Sequence, residues 1–233
     1  MSPTVRALVG VVAMILILAH GPGTWAAQLR WPTLTGPGPT SYHPALPPLG
    51  PATLPTMYRG RQTFQRTRLE DIPAGVGKTL AAARLPIKRG DTVAVGAGSR
   101  GIANIDVIVR ATVDWLRTQG ARPFVFPTMG RHGGATAEGQ RSVLAHYGIT
   151  EATMGCEIRA SMEVVQVGEA LELPVWLDRT ASEADWIGLV NRIKPHTDFK
   201  GSIDSSLFKM MTISLGKYQG PAQSHRANVN QVK

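Results

Sequence analysis

What most constrains this chain is an alternation that begins after Met57, where short apolar runs of strand length are separated by stretches with helical spacing. That alternation predicts an α/β fold, an open and largely parallel sheet flanked by helices. Asp91-Thr-Val-Ala-Val-Gly96 reads as a short buried strand after a Lys88-Arg89-Gly90 turn. Asn104 to Gln119 then carries Ile105, Val109, Val113 and Leu116 at the i, i+4, i+8, i+11 spacing of one helical face, with Gly120 as a C-cap. Pro123 to Pro127 is the next strand, and the glycine-rich Gly130-Arg-His-Gly-Gly134 leads into a helix from Ala137 to Tyr147, capped by Thr136 and ended by Gly148. Glu163 to Val167 and Pro174 to Leu177 read as strands, Ala181 to Asp185 as a helical turn, and Trp186 to Val190 as another buried strand. Helix signals resume from Ser205 to Leu215.

The first 56 residues are of a different kind. Arg6 stands directly before an uncharged, mostly apolar run, Ala7 to Ala19, too short for a comfortable bilayer span but suited to the core of a signal peptide. Small residues at Ala26 and Ala27 offer a cleavage site. The expectation is a leader over residues 1–27, then a Pro/Gly-rich linker over residues 28–56, then the α/β domain over residues 57–233. The protein is exported if that leader is used and cytoplasmic if translation starts at Met57.

All sixteen acidic residues, and every basic residue but Arg6 and Arg30, lie after Met57, within a formal net charge of +9. The basic excess is spread along the chain. Its longest run, Lys88-Arg89, makes neither the stripe nor the aromatic platform that a nucleic-acid partner would use, so the charge suits small anions such as carboxylates or a nucleotide phosphate. The single cysteine, Cys156, excludes an internal disulfide and reads as an inert thiol.

Three kinds of residue, arginine, histidine and lysine, can carry chemistry. Arg100, in Gly98-Ser-Arg-Gly101, follows the first strand, where small neighbours allow close approach and a guanidinium can grip a carboxylate through two hydrogen bonds. His132, in the glycine-rich loop, and His196, presented by Pro195 after a buried strand, can each serve as acid or base near neutral pH. The loop that bears His196 leaves a strand's carboxyl end, where ligands gather in open α/β sheets. Lys209 lies in the apolar stretch Leu207-Phe-Lys-Met-Met211, where an ammonium must snorkel, find a partner or be modified. His225, sixteen positions later, reads by itself as a histidine of a polar tail.

Taken together, Gly98-Ser-Arg-Gly-Ile102, Gly130-Arg-His-Gly-Gly-Ala-Thr-Ala-Glu-Gly-Gln140, Asn191-Arg-Ile-Lys-Pro-His-Thr-Asp-Phe-Lys-Gly201 and Ser206-Leu-Phe-Lys209 resemble the N-terminal domain of the nickel-pincer lactate racemase family, from about Met57 to the end. The resemblance implies a nickel-pincer nucleotide, pyridinium-3,5-bisthiocarboxylic acid mononucleotide nickel, joined covalently to Lys209, with His225 on the metal. It implies that His132 and His196 are the pair that moves protons on either face of a 2-hydroxy acid, and that Arg100 holds its carboxylate. The reaction implied is racemisation or epimerisation by hydride transfer, through a transient 2-keto acid. Where lactate racemases have Asp-His-Thr-Arg, this chain has Ala97-Gly98-Ser99-Arg100, which suits a divergent branch acting on another hydroxy acid. The family also has a second α/β domain that closes over the cofactor, and the resemblance leaves room for a separate chain supplying that half. The competing reading is a truncated, non-catalytic remnant or a binding domain for small anions.

Overall fold

The computed structural model of the chain describes residues 14–19, 69–99, 101–170, 172–192 and 209–226. The chain divides into two compact units, Met1–Arg30 with Asp71–Lys233, and Trp31–Glu70; the sheet and helices described below all belong to the first. The expected linker over residues 28–56 lies outside the described residues.

The strands are β1 (Met14–Ala19), β2 (Thr92–Ala97), β3 (Arg122–Pro127), β4 (Val164–Ala170), β5 (Leu173–Asp178) and β6 (Trp186–Asn191). The helices are α1 (Ile72–Ala82), α2 (Ile105–Thr118), α3 (Ala137–His146), α4 (Glu151–Met154), α5 (Arg179–Ser182) and α6 (Gln219–Arg226), with a π-helical turn at Met210–Ser214. The main sheet has the order β1-β6-β2-β3, and β4 and β5 form a separate antiparallel hairpin. Strand β2 runs parallel to both neighbours, Val95 standing opposite Val125 on β3 and Gly188 on β6. The open, largely parallel α/β sheet is therefore as the alternation predicts.

Period-two burial sorts the strand residues into two layers. Val93, Val95, Val125, Trp186 and Val190 face one core, into which α2 sends Ile105, Ile108, Val109, Val113 and Leu116. Ala94, Phe124, Phe126, Ile187 and Leu189 face the other, closed by Leu177 of the hairpin and by Met210 and Leu215. Each fully buried side chain of this size contributes about 1.5–3 kcal/mol, so the strands are fixed from both sides.

Several boundaries depart from expectation. The helical turn expected over residues 181–185 begins two residues earlier, because the Asp178 carboxylate accepts hydrogen bonds from Ala181 N at 3.0 Å and Thr180 Oγ1 at 2.6 Å and so caps α5. Helix α1 was not anticipated, although Asp71 caps it at 2.9 Å from Ala74 N and a proline sits in its first turn. The helix expected over residues 205–215 is, in its described part, a π-helical turn closed by Leu215 N donating to Met210 O at 2.9 Å. His225 belongs to the polar helix α6. Within the apolar run read as a leader, Met14–Ala19 form β1, which adds antiparallel to β6 from Met14 opposite Asn191 to Ala19 opposite Trp186. No helix among the described residues is long and apolar enough to cross a membrane.

Candidate active site

Parallel strands β2, β3 and β6 end together at Ala97, Pro127 and Asn191, so the segments that follow them leave the sheet at one end. Ligands in open α/β sheets bind outside that carboxyl end. The glycine-rich loop after β3 is shaped by what it lacks. Gly133 and Gly139 pack backbone against backbone, and a Cβ on either would overlap the other's main chain. Gly130, Gly133 and Gly134 all hold left-handed backbone, φ 59°, 64° and 66°, which glycine adopts without steric cost. Thr136 Oγ1 then accepts from Gly139 N at 3.0 Å to start α3, as its place in the sequence predicts.

This loop places the His132 ring, half-buried, against the segment after β2, with Nδ1 2.5 Å from Ser99 Oγ. Ser99 is itself held, since Tyr147 Oη donates to the Ser99 carbonyl at 2.5 Å. Two loops that the sequence singled out separately thus meet through a hydroxyl–imidazole contact. The residue that makes the contact from the β2 side is Ser99, beside the expected Arg100. Arg100 and His196 lie outside the described residues. From the β6 end, Arg192 donates to the Gly101 carbonyl at 3.2 Å, and the Asn191 amide oxygen lies 3.3 Å from where a side chain on Gly98 would begin. Gly98 also borders the methyl end of Met210, which brings the start of the π-helical turn to the same place.

The two lysines described in the last segment differ in burial. Lys209, flanked by apolar residues, is exposed at the head of the π-helical turn, consistent with the snorkelling alternative. Lys217, which follows a glycine and looks like a surface turn residue, is 0% exposed. Its ammonium donates to the Pro127 carbonyl at 2.6 Å and to Gln140 Oε1 at 3.3 Å. Asp178 Oδ2 lies 2.9 Å away but off the line of an N–H···O bond, so this contact is an ion pair more than a hydrogen bond. Burial pushes the Lys217 ammonium below its ordinary range, and Asp178 opposes that shift. The Phe126 ring lies 5.8 Å from the ammonium. Residue-by-residue reasoning missed Lys217 because its partners are remote in sequence. The signal available was Gln140, a polar residue on the apolar face of α3.

A groove of about 420 Å³ lies at the opposite end of the sheet, lined by Arg117, Arg122, Arg159 and Cys156 among others. Its arginines already have partners: Arg117 the Gly155 carbonyl, Arg122 the Gly90 carbonyl at 2.9 Å, and Arg159 both Glu157 and the Phe124 ring, which line the same groove. Burial pushes the Cys156 thiol up, which keeps it a poor nucleophile. Comparison with protein-family models, curated proteins and solved structures returns no match, so the family resemblance rests on this chain's own motifs.

Proposed function

We propose that the chain is a racemase or epimerase of a 2-hydroxy acid of the nickel-pincer kind, with His132 as one of its two proton-transferring groups. The observation that supports this reading is the 2.5 Å contact between Ser99 Oγ and His132 Nδ1 at the carboxyl end of the parallel sheet. If Nδ1 carries the proton and Ser99 accepts it, the neutral ring is fixed in the tautomer whose Nε2 holds a lone pair. That is the atom that would take the substrate's hydroxyl proton. Fixing the tautomer before substrate arrives lowers the reorganisation that proton transfer requires. Arg100, next to Ser99 in sequence, would hold the carboxylate, and His196, after β6, would serve the other face.

The residues present suit the implied cofactor. Lys209 offers an exposed amine for a covalent link, and His225 lies on α6, sixteen residues further on, an imidazole being a ligand type that suits nickel. When bound, the nickel-pincer nucleotide supplies the two-electron acceptor for hydride from the substrate's Cα. Substrate orientation and movement of the hydroxyl proton remain the work of Arg100 and the histidines.

The test is intact-protein mass spectrometry with nickel analysis on protein co-produced with a pincer-nucleotide biosynthetic system, followed by chiral chromatography of a panel of 2-hydroxy acids. The reading predicts a mass increment lost in Lys209→Arg, nickel lost in His225→Ala, and interconversion of enantiomers or epimers lost in His132→Gln. An unmodified, nickel-free chain would sink it. If that chain were nonetheless stabilised against heat by hydroxy acids, the anion-binding reading would replace it.

A further inference from the structure

The buried ammonium of Lys217 has three protons and three neighbours, and two of those neighbours lead to the His132 loop. Pro127, whose carbonyl it binds at 2.6 Å, is the last residue of β3 before that loop. Gln140, whose Oε1 it binds at 3.3 Å, turns its own amide nitrogen to the loop, donating to the Gly130 carbonyl at 2.8 Å and the His132 carbonyl at 3.4 Å. Gln140 is itself 0% exposed, so both ends of its amide are committed inside the protein. The third neighbour, Asp178, caps α5 and donates its backbone N–H to the Leu215 carbonyl at 2.8 Å, tying the pair to the segment after the π-helical turn.

The backbone at Lys217 carries further information. Its φ is 50°, a left-handed conformation that costs a side-chain-bearing residue of order 1 kcal/mol and that glycine or asparagine would adopt more readily. That strain is tolerated at a residue whose ammonium lies at the junction of β3, α3 and β5. The same junction brings α6 to the loop, because Gly130 abuts Pro221 and Ile213.

We propose that Lys217 is a positioning residue which, through Gln140 and the Pro127 carbonyl, holds the His132 loop in register with the segment running from Lys209 to His225. The proposal rests on the reading of His132 as the proton-transferring group, but its consequence is visible without substrate or cofactor. Loss of the tether lets the two halves of the site move independently, and the first quantity to change is the contact between the His132 ring and Ser99.

Long-range 1H–15N NMR of the histidine rings reads this directly, because the shifts of the two ring nitrogens report the tautomer. The comparison is between the full chain, Gln140→Met, the shorter amide Gln140→Asn, and Leu144→Ala. Leu144 is a buried core residue of α3 outside the tether, so its truncation lowers stability by a separate route. In the parent, His132 is expected in a single Nδ1–H tautomer. Both Gln140 variants are expected to average the two tautomers, bringing the two nitrogen shifts together, while Leu144→Ala keeps the parent pattern despite a lower melting temperature. An unchanged His132 pattern in whichever Gln140 variant folds overturns the proposal, as does an equal change in Leu144→Ala. If the tautomers respond as expected but no nickel or racemisation is found, the tether stands and the racemase reading falls.

Discussion

The two ends of the parallel sheet are built differently. At the amino end, exposed or half-exposed polar groups tie neighbouring elements with bonds that can be replaced one at a time. Asp185 accepts from both the backbone and the hydroxyl of Thr92 at 2.8 and 2.7 Å, and Asp91 accepts from Trp186 Nε1 and Lys88 N, each at 2.8 Å. At the carboxyl end a buried cation, an amide and glycines in left-handed conformations hold one loop, and each has several dependants. The amino end is redundant and tolerant, whereas the carboxyl end is concentrated. Concentration is what holding an imidazole to within a fraction of an ångström demands.

That contrast can be broken by substitution. The largest effect is expected from Lys217→Met, which leaves the Asp178 carboxylate buried without its cation and should cost about 3–5 kcal/mol in denaturant unfolding. Adding Asp178→Asn, which removes the charge but keeps the oxygen that caps α5, should return most of that loss; a double variant as unstable as the single one would mean that the ammonium's bonds to Pro127 and Gln140 outweigh the charge. Next comes Gly139→Ala, where a methyl group meets the Gly133 backbone, with an expected loss of about 2–3 kcal/mol. A loss under about 0.5 kcal/mol, within the range of ordinary surface substitutions, would show that the loop relaxes freely.

The amino end should respond less. Trp186→Phe keeps the ring in the core and removes the bond to Asp91, at an expected cost of about 1 kcal/mol. A cost as large as that of Lys217→Met would erase the distinction between the two ends. The smallest effect is that of Asp185→Asn, and it depends on pH. The two bonds from Thr92 hold the Asp185 carboxyl below its ordinary range, so its stabilising contribution is present above the unfolded value of about 3.9 and is lost as pH falls through the lower folded value. The stability gap between parent and variant should therefore narrow in acid; a gap constant from pH 2 to 7 would exclude the carboxylate as its source.

Most of the sheet was legible in the sequence because β2, β3, β6 and α2 are local patterns. Burial on both faces makes continuous apolar runs, and a helix packed on one side makes a 3.6-residue period. The cap at Thr136 was legible for the same reason. Met14–Ala19 reads in the sequence as the apolar core of a leader, and its pairing with β6 joins residues more than 160 positions apart, which no local pattern shows. The site was legible in part. His132 follows from its loop, but its contact with Ser99 joins positions 33 apart, and the Lys217 bond to Pro127 joins positions 90 apart. The exposure of Lys209 agrees with the snorkelling that its apolar neighbours allow, whereas the burial of Lys217 had no local signal, because its left-handed backbone and its partners on β3, α3 and β5 are set by the fold.

The interlock of Gly133 with Gly139 also governs how the protein fluctuates. Since these two backbones touch and Thr136 bridges them, the His132 loop cannot swing out without lifting the first turn of α3. The amides of Gly139 and Gln140, bonded to Thr136 Oγ1 and Thr136 O, become reporters of that opening. Their solvent exchange should follow one common rate, a clock for how often the imidazole leaves its station.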